Sequence, residues 1–145
     1  MRKIYGFLTC LDVRVYKSGE FVLLKPLIFS SLGAGIIEIP KGFITDFASV
    51  PKIVQLLPGF DVNGESRPAA VVHDYLYCVQ SVDRNAADHI LWEALADLGL
   101  NRILARMFWL GVRVGGWMYW NKRNSPEDNI KDFVPESFWS EERVY

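Results

Sequence analysis

The hydrophobic period of this chain changes near Ser66-Arg67-Pro68, and that change limits its architecture more than any other feature. Before it, "LDVRVYKSGEFVLLKPLIFSS" reads as two β segments around a turn at Ser18-Gly19, with Val13, Val15, Phe21 and Leu23 alternating over part of the run. "GIIEIPKGFITDFASVP" adds a strand, a turn at Pro40-Lys41-Gly42 and a short strand at Phe43–Thr45. Pro51 then opens a short helical segment that Pro58-Gly59 ends. After the change, Ser66 and Pro68 suit the start of a helix reaching about Gln80. Ser81 or Asp83 can cap a second helix, in which Ile90, Leu91, Ala94, Leu95 and Leu98 follow helical spacing until Gly99. Asn101 opens a third, "NRILARMFWLGVRVGGWMYWNKR". Strands followed by helices predict an α+β fold: an N-terminal antiparallel β-meander packed on a bundle of about three helices.

The chain has 145 residues, which fits one domain, and half of them are hydrophobic, which excludes disorder throughout. The expected division is a single α+β domain over 1–124 and an extended tail over 125–145. From Ser125 onward Glu127, Asp128, Asp132, Glu136, Glu141 and Glu142 outweigh Lys131 and Arg143, a net of −4. The total of −1 leaves about +3 for the first 124 residues, too little for a nucleic-acid footprint. Cys10 and Cys78 have no metal-ligand spacing and form no disulfide framework. The N-terminal apolar run is broken by Asp12, so no export signal is evident. Arg106, Arg113 and Gly115-Gly116 interrupt the third helix as a membrane span. Trp117, Tyr119 and Trp120 beside Lys122 and Arg123 would suit a membrane interface, whereas a core helix would snorkel its arginines or pair them with acids.

Candidate chemistry centres on "AAVVHDYLY". In a helix, His73 and Tyr77 share a face one turn apart, while Asp74 is rotated by about 100°. His73 and Asp74 therefore cannot form a dyad, and each needs its own partner. Asp88, near the start of the next helix, is the candidate for His73, because helices joined by a short connection tend to pack antiparallel. A carboxylate there would fix the imidazole tautomer and leave the other nitrogen to activate water or a hydroxyl. Asp74 would be free to bind a cation or a loop. In "KGFITDFASVP", Thr45, Asp46 and Ser49 either cap a turn before the Pro51 helix or line a cleft. In the cleft reading, Asp46 meets Asp74 or His73 and ligates a divalent ion, with Thr45 and Ser49 in support. His89 reads as a surface or helix-packing residue, and "SLGAG" is not a phosphate loop.

Taken in order, "IPKGFITDFASVP", "AAVVHDYLY", an "AD" opening a helix and "VRVGGWMYW" resemble domain-of-unknown-function family 1353 over roughly residues 36–120. The resemblance implies a bacteriophage or prophage origin and a late-gene setting among tail and lysis functions, without an assigned activity. Locally, "HDYLY" with an aspartate on the next helix resembles the HDxxY…D arrangement of secreted phospholipases of the A-two class. That likeness implies His73 as general base, Asp88 as its orienting partner, Tyr77 in support of Asp88, and Asp74 holding calcium. The chain departs from it in lacking a glycine-rich calcium loop upstream and the disulfide framework.

Two functions follow as expectations. One is a virion or tail-associated protein, in the phage particle or the host cytoplasm, whose hydrolase-like cluster joins helices. Phe133, Phe138, Trp139 and Tyr145 of "DFVPESFWSEERVY" would then dock on other virion proteins. The other is an active metal-assisted hydrolase of an envelope lipid, peptide or glycan, with His73 as the base. An inhibitor of a host defence protein also fits a phage protein of this size.

Overall fold

The computed structural model describes residues 4–47, 56, 64–122 and 133–140. Among the described residues, six short strands precede three helices: β1 (Gly6–Phe7), β2 (Val13–Lys17), β3 (Glu20–Leu23), β4 (Leu27–Ser31), β5 (Gly35–Ile39), β6 (Ile44–Thr45), α1 (Arg67–Val79), α2 (Arg84–Asp97) and α3 (Arg102–Lys122). A one-turn helix, α4 (Ser137–Ser140), follows. The α+β order expected from the change of period is present. The helical segment expected after Pro51 lies outside the described residues.

All strand pairs are antiparallel, but the meander is divided between two sheets of three, ordered β1-β4-β5 and β2-β3-β6. The division falls within what reads in the sequence as one β segment after Ser18-Gly19. Leu24-Lys25-Pro26 separates β3 from β4 there, and a proline cannot donate to a ladder, so the run leaves one sheet and joins the other. Leu23, Leu27, Phe29 and Ile39 of the two sheets are buried, as is Phe43 just before β6.

The helices supply the other wall of the core. Asp83 caps α2 by accepting from the Ala86 N–H at 2.7 Å, as its position suggested. Ser66 occupies the N-cap of α1 without a side-chain cap bond. Asn101 Oδ1 accepts from the Ile103 N–H at 2.8 Å at the head of α3. Helix α2 is central, packing on α1 and α3 and reaching β1 and β4. Its carboxylates seal that contact: Glu93 accepts from the Leu32 N–H at 3.0 Å, and Asp97 from the Phe7 N–H at 2.9 Å. Gly6, at φ +84°, makes room for the second bond, since a Cβ there would collide with the Asp97 carboxylate.

The described part of the tail returns to the β half. Phe133 forms a bridge with Phe43, and the Val134 N–H donates to the Gly42 carbonyl at 3.0 Å. Phe138 stands edge-on to Tyr16, with the Arg14 guanidinium 5.8 Å from its ring, and Lys41 Nζ lies 4.0 Å from the Trp139 ring centre. Three of the four aromatics expected to dock on a partner are thus engaged within the chain. Tyr145 lies outside the described residues.

Candidate functional site

Helix α1 presents His73 and Tyr77 on its buried side, with ring centroids 4.2 Å apart. Gln80, in the left-handed conformation at φ 49°, ends α1, and Asp83 starts α2 a few residues later. That short return brings Asp88, at the second turn of α2, against the His73–Tyr77 face. Asp88 Oδ1 lies 2.7 Å from His73 Nε2 and accepts from the Tyr77 hydroxyl at 2.7 Å. An ionised carboxylate only accepts, so His73 carries its proton on Nε2.

Helix α3 closes the cluster. Arg113 Nη1 donates to Asp88 Oδ2 at 2.8 Å, the acid pairing expected of an arginine within an apolar helix. Arg84 lies one turn before Asp88, with its Nε 3.9 Å from Oδ2 and 3.4 Å from the Tyr77 hydroxyl. Its Nη2 donates to the carbonyls of Val112 and Arg113, which fixes α2 to the middle of α3. Gly116 faces the Tyr77 hydroxyl so closely that a Cβ would lie 2.5 Å from that oxygen. Trp120 stands edge-on to Tyr77 at 5.1 Å, and its carbonyl accepts from Gln80 Nε2 at 2.8 Å. Of the three aromatics suited to a membrane interface, Trp120 is therefore turned inward, while Trp117 and Tyr119 are exposed.

Asp88 is 0% exposed, His73 2% and Tyr77 5%. Burial pushes the Asp88 carboxyl up, but hydrogen bonds from His73, Tyr77 and Arg113 outweigh it and hold the group below the usual carboxylate range. Burial and the bond to Asp88 push the Tyr77 phenol well above its ordinary range, against the opposing pull of Arg84. The result is a fixed anion with neutral Tyr77 as its donor. Among the described residues, every buried side-chain polar atom has a hydrogen-bond partner.

Asp74 faces a different neighbourhood, as the helical rotation requires. It is half-buried and accepts from Thr45 Oγ1, at the end of β6, at 2.7 Å. Thr45 is buried and accepts in turn from the Phe47 N–H at 3.2 Å, where the backbone takes φ 55°. Asp46 is exposed, and Ser49 lies outside the described residues. A calcium ion takes six to eight oxygen ligands. Among the described residues, no group of three or more His, Cys, Asp or Glu side chains is placed to hold a metal.

Sequence reasoning brought together His73, Tyr77 and Asp88 and separated Asp74 from them. It missed Arg84, although Arg84 and Asp88 carry the i,i+4 spacing of a helical ion pair. It read Gly116 only as a weak point in a helix, because the close approach of Tyr77 is a contact between distant segments.

The geometry defines a small α+β domain whose three helices are joined through one buried carboxylate. The profile of the family described as "Protein of unknown function (DUF1353)" matches residues 21–112, more than half of the chain, and the chain belongs to that family. No curated protein and no solved structure matches it.

Proposed function

We propose that this chain is a non-catalytic binding or assembly protein, of the kind that tailed phages build into their particles, in which the Asp88 cluster is a structural joint. One observation carries the non-catalytic reading. Asp88 is wholly buried and accepts from His73, Tyr77 and Arg113 together. A carboxylate held in this way, with Arg84 also beside it, has its donors supplied from all three helices and is fixed by them. The phage setting rests on the motif resemblance alone.

A second reading has an observation of its own. His73 and Tyr77 meet on the same oxygen of Asp88, which is the arrangement implied by the HDxxY…D likeness. In that reading His73 is the general base of a hydrolase acting on an envelope lipid, peptide or glycan. Replacing His73→Gln separates the two. The joint predicts no turnover of ester, lipid or peptide substrates by the parent chain and a lowered melting temperature in the variant. Turnover by the parent that disappears in a variant of unchanged melting temperature would establish the hydrolase. Membership of a particle is checked by mass spectrometry of purified virions from a phage encoding the chain.

A further inference from the structure

Helix α3 is apolar on two opposite sides. Ala105, Phe108, Val112 and Gly116 are buried and recur at helical spacing, which places them along the face that packs inward. On the opposite side stand Ile103, Leu110, Val114 and Trp117, spaced seven, four and three residues apart, with Met118 at their edge. All five are exposed, Val114 by 76% and Ile103 by 71%. A surface helix ordinarily carries polar residues there, and one that is apolar all round belongs to a buried or lipid-contacting setting. No described helix is long and apolar enough to cross a membrane.

The charges that α3 itself carries have a single sign. Over its 21 residues α3 contains no acid, and its basic residues are Arg102, Arg106, Arg113 and Lys122. Arg113 is turned inward to Asp88. Arg102, Arg106 and Lys122 are exposed, two near the start of the helix and one at its end. A surface anionic on top and apolar beneath complements this pattern, and an exposed Trp117 suits the boundary between the two. A second copy of α3 would add cations to cations. The described aromatics of the acidic tail are committed to the β half.

We infer that α3 docks the protein, through Ile103, Leu110, Val114 and Trp117, on the surface of an anionic lipid bilayer. The helix lies in the interface rather than crossing it, with its buried side still closed on the Asp88 joint. This surface is separate from the cluster considered above and does not depend on whether that cluster is catalytic.

The test is co-sedimentation of the full 145-residue chain with vesicles. Vesicles of phosphatidylcholine mixed evenly with phosphatidylglycerol should retain it, and pure phosphatidylcholine vesicles should not. Each of Arg102→Gln and Arg106→Gln should lower the partition coefficient about fivefold, and raising the salt should mimic both. The double variant Leu110→Asp/Val114→Asp should lower it more than about tenfold while the melting temperature holds. If that variant melts early, Trp117→Ala carries the comparison. Equal retention by neutral vesicles would overturn the inference. So would a parent chain that fails to bind vesicles, whether it stays monomeric or forms a dimer that Val114→Asp dissolves.

Discussion

His73 and Asp74 are adjacent in the chain, yet they belong to two regions built on different principles. The region around His73 is centred on a buried carboxylate that gathers donors from α1, α2 and α3. The corner around Asp74 is half-exposed, and there the Thr45 hydroxyl joins β6 to α1. Water can replace a lost partner at the corner more readily than around the wholly buried Asp88. The same residue type should therefore matter more for stability in one place than in the other.

The sharpest way to break this contrast is Asp88→Asn. The change leaves Arg84 and Arg113 without their anion and sets an amide N–H₂ among donors. Losing one partner of a buried ion pair costs about 3–5 kcal/mol, and the partial exposure of both arginines points to the lower end, about 3 kcal/mol by urea unfolding. The pH dependence has a definite sign. The folded carboxyl titrates below its ordinary value of 3.8, so its contribution is complete above that value and is lost as the pH falls through the folded one. The stability gap between the parent and Asp88→Asn should therefore narrow below about pH 4.

Gly116→Ala should come next. Alanine favours helix, but its Cβ would meet the Tyr77 hydroxyl at 2.5 Å, and overpacking of this kind costs about 1–3 kcal/mol. Gly115→Ala is the control, since nothing lies within 4 Å of its Cβ, and it should gain up to about 1 kcal/mol from helix propensity. Thermal melts of the pair should move in opposite directions. Two losses of equal size would mean that α3 does not approach α1 as described.

The smallest effect is expected at the corner. Thr45→Val keeps the shape of a buried side chain and removes the bonds to Asp74 and to the Phe47 N–H. The cost should be about 1 kcal/mol, because Asp74 remains half-exposed. A loss as large as that of Asp88→Asn would erase the distinction between the two regions.

Much of this contrast was legible in the sequence because it is local. The i,i+4 spacing of His73 and Tyr77, the offset of Asp74 and the short return to α2 all follow from helix geometry. Arg84 was legible in principle by the same spacing from Asp88. The division of the strands into two sheets was harder to read, because the alternating pattern that marks a strand does not name its neighbour. The tail shows the same difficulty: the sequence marks Phe133, Phe138 and Trp139 as anchors, and only packing brings them to Phe43, Tyr16 and Lys41.

The sequence by itself determined the order of strands and helices and which side chains share a helical face, since both depend on periods of a few residues. Tertiary structure decided that Asp88 would unite three helices, that Arg113 would turn inward, and that the outer face of α3 would stay apolar and exposed. Those outcomes depend on which distant segments touch, and in the core each polar group must find its partner among them.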